Sequence, residues 1–169
     1  MRTGSEVLPH DNAEARICGR CAIIRDPEIT SRIMAAVKNR GTGPEMALRR
    51  ELHRRGLRYR VATKLMGKPD LLFISARVAC FVDGDRWHGN GWRTRGYASF
   101  EDEFEHANSS FWKDKITRNM RRDQEVNQCL QADGWIVFRA WASDVERDVA
   151  AVGDQVEAIV RDRLRGRRG

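Results

Sequence analysis

The sequence predicts an α/β domain in which a central mixed sheet is flanked by helices. Three features carry that prediction. With 169 residues, 41% of them hydrophobic, the chain is long enough for one domain with a real core and too short for two. Segments of helical period alternate with short apolar runs in the order α-α-β-β-β-α-β-α, without an internal repeat. Two of the apolar runs are separated only by Ser75-Ala76, a spacing that implies an antiparallel hairpin.

Residues 1–27 have mixed polarity, no sustained period and the breakers Pro9 and Pro27, and read as a poorly ordered leader. Residues 28–165 are assigned to the folded domain and residues 166–169 to a basic tail. From Thr30, the spacing of Ile33, Met34 and Val37 predicts a short helix ended by Gly41 and Gly43. A second helix starts at Pro44, which suits a first turn, carries Ala47, Leu48 and Leu52 on one face, and stops at Gly56. Strands are expected over 57–61, 70–74 and 77–83. The stretch 84–108 is rich in glycine, aromatic and charged residues without a regular period, and a loop that long inside a domain is usually functional. It is expected to sit over the site.

A long helix over 109–131 shows Trp112, Ile116, Met120, Val126 and Leu130 on one side, with Asn119 and Asp123 among them and Gly134 as its stop. Residues 135–141 read as a strand. Ser143-Asp144-Val145-Glu146 matches a capping box opening a last helix, whose stripe is Val145, Val149, Val152, Val156, Ile159 and Val160.

The net charge of +7 and pI of about 9.7 favour a polyanionic partner, because lysine and arginine gain most where they displace counterions from phosphates. The C-terminal arginines 161, 163, 165, 167 and 168, with Asp162, supply +4 of that charge, so the rest of the chain is only mildly basic. Of the four cysteines, Cys18 and Cys21 form a C-x-x-C, while Cys80 and Cys129 stand alone in apolar segments. No second pair completes a zinc spacing and no secretory leader precedes them, so buried free thiols in a reducing cytoplasm are expected. No apolar run has membrane-spanning length, and a soluble protein without a membrane partner is expected.

The chemistry gathers between residues 70 and 88. Asp70, in Gly67-Lys68-Pro69-Asp70, opens one apolar run and Asp83 closes the next. A hairpin can bring both carboxylates to the same end of adjacent strands, where a hard divalent cation binds oxygen. A Pro-Asp pair at a strand start also serves as turn punctuation. The second acid favours a metal, since converging carboxylates repel unless a cation or proton intervenes.

His88 follows Gly84 in a loop close to both acids. A lone histidine near a core is commonly a structural hydrogen-bonding group, but here its imidazole can also act as general base on a metal-bound water. Trp87 can cap the core, or stack on or wedge between bases. Glu45 in a first helical turn suits the helix dipole. Asn119 and Asp123, polar on an apolar side, must find partners, and Asp123 orienting His88 would provide one. Lys113, Lys115, Arg118, Arg121 and Arg122 form a solvated helix face or a grip on phosphates.

Taken together and in order, Ser31-Arg32-Ile33-Met34, Gly43-Pro44-Glu45, Gly67-Lys68-Pro69-Asp70, Phe81-Val82-Asp83-Gly84, Trp87-His88, Phe111-Trp112-Lys113-Asp114-Lys115-Ile116, Asn119, Arg122-Asp123 and Gly134-Trp135 are specific. They span 31–149, and over that range the chain resembles the very-short-patch-repair (Vsr) mismatch endonucleases of the PD-(D/E)xK nuclease superfamily. The resemblance implies a restriction-endonuclease-like three-layer fold and Mg²⁺-dependent nicking of one DNA strand beside a T:G mismatch, left by deamination of 5-methylcytosine. It implies that Asp70 holds the metal, with the carbonyl of Val82 as second protein ligand. It makes His88 the base, Glu45 and Asp123 supports, and Trp87 an aromatic wedge in the DNA stack. Arg86, Asn119 and Lys115 join Trp87 as expected DNA-binding residues, and Asp83 joins Asp70 as an expected catalytic and metal-binding residue. Mismatched double-stranded DNA is the expected partner of a cytoplasmic monomer.

The chain also departs from the family. The positions that match the family's structural zinc ligands are Asp85, Asn90, Trp92 and Ser143, so no structural zinc is expected. Arg86 stands at a wedge position usually aromatic, Asp83 stands where histidine is frequent, and Asp85 stands where the PD-(D/E)xK pattern has lysine. Two alternatives therefore stay open: a restriction-like or general repair nuclease without T:G selection, and an inactive DNA-binding relative.

Overall fold

Thr42 starts the first helix of the described residues. In the computed structural model, which describes residues 40–61, 64–105 and 109–166, α1 runs Gly43–Arg54 with Thr42 as its N-cap. The Glu45 N–H donates to Thr42 Oγ1 at 3.4 Å, and Glu45 Oε2 accepts from the Gly41 N–H at 2.6 Å and the Thr42 N–H at 3.4 Å. This reciprocal capping satisfies backbone donors that a helix start otherwise leaves open. The helix expected from Thr30, the Ser31–Met34 motif and Cys18 and Cys21 lie outside the described residues.

Strand β1 (Leu71–Phe73) pairs antiparallel with β2 (Val78–Asp83) in the register Leu71↔Cys80, Leu72↔Ala79, Phe73↔Val78. The expected hairpin is present. Its turn spans 74–77, closed by Arg77 N–H donating to Ile74 O at 3.1 Å, with Arg77 at φ 53. The chain then crosses through a short helix α2 (Gly91–Thr94), a 3₁₀ turn (Asp102–Phe104) and the long α3 (Ser109–Ala132) before β3 (Ile136–Trp141) joins β2 in parallel. Helices α4 (Ala142–Arg147) and α5 (Val149–Gly166) complete the order, and the sheet runs β1-β2-β3.

Alternation along the strands splits the core into two layers. Leu71, Phe73, Val78, Cys80 and Ala140 face Leu48 and Leu52 of α1, Val145 of α4, and Val152, Val156 and Val160 of α5. Leu72, Ala79 and Phe81 face Val126 and Leu130 of α3. Each fully buried aliphatic side chain contributes roughly 1.5–3 kcal/mol. The result is the three-layer arrangement, helices on both faces of a mixed three-stranded sheet.

Four expectations are corrected. The stretch 57–61 is not a strand: it makes one antiparallel bridge, Arg60↔Leu72, and no ladder. The segment after Gly84 contains α2 and the 3₁₀ turn rather than irregular loop alone. Ser143 does not cap the last helix; α4 starts at Ala142 without a side-chain cap, and Asp148 separates it from α5, its Oδ1 accepting from the Ala151 N–H at 2.9 Å. Cys80 is buried as expected, whereas Cys129 lies on the exposed side of α3.

Gly67 places the motif that precedes β1. It adopts φ +73, and a Cβ there would lie 2.4 Å from Cγ1 of Val126, a branched core side chain that cannot swing away. Gly67→Ala is expected to cost about 2 kcal/mol or more through strain and overpacking. A urea midpoint equal to wild type would show that the close approach is not needed.

Candidate active site

The site forms where β1 begins and β2 and β3 end. Asp70 lies just before β1, its N–H donating to Cys80 O at 2.9 Å, while its Oδ2 accepts from the Val82 N–H at 2.8 Å. The N–H and C=O of one extended residue point to the same strand edge, so the Val82 carbonyl also lies on the Asp70 side, beyond the last β1–β2 pair. Burial pushes the Asp70 carboxyl up to about 6, with Glu45 and Asp83 adding to the rise and the Val82 amide and Arg49 opposing it.

Glu45 is 2% exposed, and its Oε1 is in ion-pair contact with Arg49 Nη2. Arg49 also donates to the Asp70 carbonyl at 3.2 Å. A half-desolvated carboxylate beside further acids and a backbone carbonyl suits a hard cation that keeps water and substrate oxygens in its remaining positions. Among the described residues no group of three or more His, Cys, Asp or Glu side chains is placed to hold a metal ion. Asp70 and the Val82 carbonyl are oxygen donors of the kind a hard divalent cation takes.

Asp83, expected as a metal ligand, is engaged by Arg139. It is 7% exposed, and both its oxygens accept from Arg139 Nη1, at 2.9 and 2.7 Å. The strand register explains the pair: Arg139 opposes Phe81, so Arg139, Phe81 and Asp83 share the sheet face covered by α3. The guanidinium lies over the Phe81 ring at 4.3 Å, and Nε donates to Asn127 Oδ1 at 3.0 Å. Its Nη2 is 3.4 Å from Asp123 Oδ1. Both Asp83 oxygens are thus engaged by Arg139.

Asp123 does meet His88. The Asp123 Oδ2 to His88 Nδ1 distance is 2.5 Å, and Asp83 Oδ1 is 3.8 Å from the same nitrogen. With Nδ1 held by a carboxylate, Nε2 is the nitrogen left to take a proton. Gly84 shapes the turn that presents the imidazole, its carbonyl accepting from the Trp87 and His88 N–H groups at 2.9 and 3.2 Å. Asn119 donates to the Trp87 carbonyl at 3.0 Å, so both members of the polar pair on α3 reach this turn, Asp123 holding Arg139 as well.

The same turn carries the aromatic surface. Trp87 packs on Trp112 with ring centroids 5.8 Å apart, and Phe111, 60% exposed, packs on Trp112 at 5.3 Å. Lys115 Nζ lies 5.6 and 5.2 Å from the Trp87 and Trp112 rings, and Arg86 lies 5.5 and 5.7 Å from them. Cations over half-buried indoles, with the exposed Phe111 beside them, make a surface that suits bases and phosphates together. The remaining basic residues of the α3 run divide: Arg121 pairs with Glu125, and Arg118 and Arg122 stay exposed.

The positions matched to zinc ligands form a different structure. Asn90 and Ser143 both donate to Asp85, and Trp92 lies outside that set with the Arg93 guanidinium over its ring at 4.9 Å. Carboxylate, amide and hydroxyl groups already satisfied by each other do not fit a site that takes thiolates and imidazole.

Sequence reasoning missed Arg139, Asn127 and the Asp85 cluster. An arginine flanked by Phe138 and Ala140 in a strand covered on both faces was a usable signal, because a buried guanidinium requires acidic partners.

A three-layer α/β fold with a carboxylate and a histidine–aspartate pair at one sheet end, beside a basic aromatic surface, defines a nuclease of restriction-endonuclease-like fold. The family model for the DNA mismatch endonuclease Vsr matches residues 23–94. The type II nicking enzyme V.NmeDIP of Neisseria meningitidis serogroup C is 41% identical over 138 residues, which cover 81% of this chain and 89% of that one. The type II nicking enzyme V.HpaIIP of Haemophilus parainfluenzae is 37% identical over 139 residues, 81% and 94% of the two chains. The DNA mismatch endonuclease Vsr of Escherichia coli (strain K12) is 30% identical over 121 residues, 71% and 73%. The chain belongs to the Vsr family of DNA endonucleases. Among the described residues no helix is long and apolar enough to cross a membrane.

Proposed function

We propose that this protein, acting as a cytoplasmic monomer on double-stranded DNA, nicks one strand beside a T:G mismatch in a Mg²⁺-dependent reaction. The observation that carries the reading is that Asp70, bonded to Val82 near the end of β2, and the His88–Asp123 pair lie at one end of the sheet, with Asp83, the last residue of β2, 3.8 Å from His88. Bound beside Asp70 and the Val82 carbonyl, Mg²⁺ would supply charge that stabilises the attacking and leaving oxygens of the phosphodiester. Asp123 fixes the His88 tautomer and ring plane, and His88 Nε2 takes the proton of the attacking water as the new P–O bond forms and the bond to the departing sugar oxygen breaks. Glu45 and Arg49 brace the loop carrying Asp70. Trp87, with Trp112 beneath it, provides the wedge; Asn119 holds the Trp87 backbone, and Lys115 and Arg86 face phosphate.

A second reading, the same nick without T:G selectivity, is favoured by Arg86, which lies over Trp87 where a second aromatic wedge would stand. The two are separated by a nicking assay on T:G, fully paired and methylated duplexes, each with Mg²⁺ and with chelator. The first reading expects chelator-sensitive nicking of the T:G duplex alone. In the same assay Trp87→Ala is expected to lower T:G preference about tenfold or more while changing affinity for paired DNA much less, as loss of a wedge would. Equal losses on both duplexes would reject the wedge.

A further inference from the structure

Asp85 lies three residues before His88 and reaches neither the imidazole nor Asp70 by any hydrogen bond, yet it is the most connected side chain of the turn. Its Oδ1 accepts from Ser143 Oγ at 2.6 Å and from Asn90 Nδ2 at 2.5 Å, and its Oδ2 accepts from the Ser143 N–H at 3.0 Å. Its carbonyl accepts from the Asn90 N–H at 2.8 Å. Asn90 is 7% exposed. These bonds close the turn 85–90 on itself and lock it to the first turn of α4, 58 residues away in sequence. Gly89, within that turn, rests against Met120 of α3 so closely that a Cβ would come 2.5 Å from its sulfur. The turn is thus held by Asp85 on one side and α3 on the other, with Trp87 and His88 between.

We infer that Asp85, with Ser143 and Asn90, is a metal-free clamp that positions His88 for catalysis. Three charge-assisted hydrogen bonds to one carboxylate fix a turn as a coordinated metal would, and they leave no donor set for zinc. Asp85 is a positioning residue: its effect on the reaction passes through the ring plane of His88. The inference rests on the reading of His88 as the base, and the experiment separates the two.

Ser143→Ala removes one bond of the clamp, Ser143→Thr restores a hydroxyl there, and Asp85→Ala removes all side-chain bonds. Each is compared with wild type and His88→Ala for single-turnover nicking rate, DNA affinity and thermal midpoint, and by NMR for the low-field proton of the His88–Asp123 hydrogen bond. The clamp predicts a rate at least tenfold lower in Asp85→Ala and several-fold lower in Ser143→Ala, recovered in Ser143→Thr. DNA affinity stays within about threefold, and the low-field proton is lost or broadened in the slow variants alone. Should Asp85→Ala fail to fold, the two Ser143 variants decide. Wild-type rates in Ser143→Ala and in any folded Asp85→Ala overturn the clamp. So does one tightly bound zinc per wild-type chain whose removal by a zinc-selective chelator, in excess Mg²⁺, stops nicking. Retained nicking in His88→Ala instead overturns the reading of the base.

Discussion

Asp70→Asn is expected to reduce nicking on the order of 10³-fold or more while stabilising the metal-free protein above about pH 6. Both effects come from one carboxyl. Asparagine still accepts the Val82 N–H, so the start of β1 is kept, but it cannot supply the negative charge that a cation requires. Folding raises the Asp70 carboxyl from 3.8 to about 6, chiefly by burial. The folded state therefore binds this proton more tightly than the unfolded chain, and Asp70 contributes least cost below the lower value. That advantage is lost as pH rises through the upper one, and the ionised group then costs about 1–3 kcal/mol. The thermal midpoint of Asp70→Asn should exceed that of wild type by a margin that widens between about pH 4 and pH 7 and is flat above. Mg²⁺ at pH 7.5 should raise the wild-type midpoint and leave the variant unmoved. Wild-type nicking in Asp70→Asn, or a margin independent of pH, would remove Asp70 from the centre of the site. A functional group that destabilises the fold is a common trade in active sites.

What was legible in the sequence depended on how local its physics is. The hairpin was set by Ser75-Ala76 between two apolar runs, and α3 by its apolar spacing up to Gly134; both are decided within a few residues. The Asp123–His88 contact was legible because a carboxylate on an apolar helix side needs a partner, and the turn after Gly84 offered an imidazole. Long-range competition was not legible. Ser143-Asp144-Val145-Glu146 has a capping-box pattern, but the Ser143 hydroxyl is claimed by Asp85 from another part of the chain, so Asp148 caps the longer helix. Leu57 to Val61 has strand-forming residues, but only Arg60 reaches β1, a three-residue strand that offers a short edge. Asp83 pointed to the correct end of the sheet while its partner was hidden, since no spacing rule links it to Arg139 on β3.

That partnership makes Arg139→Met the most damaging substitution expected for stability. Asp83 is 7% exposed and its two oxygens are served by Arg139 Nη1; removing the guanidinium leaves a buried carboxylate, and Asp123 and Asn127 lose a donor as well. Breaking a buried pair from one side costs roughly 3–5 kcal/mol, whereas removing both charges costs far less. Arg139→Met should therefore lower the urea midpoint sharply, and adding Asp83→Asn should restore most of the loss, a coupling that a double-mutant cycle measures directly. The cycle also separates the two roles open to Asp83. As partner to Arg139, it leaves the Mg²⁺-induced rise in thermal midpoint intact in the double variant, because Asp70 and the Val82 carbonyl remain. As a ligand, it takes that rise away. Nicking by the double variant should still fall, through Asp123, whose second oxygen loses its neighbour and holds His88 less firmly. A double variant that folds, responds to Mg²⁺ and nicks slowly is the outcome that places the cation at Asp70 and the structural charge pair at Asp83.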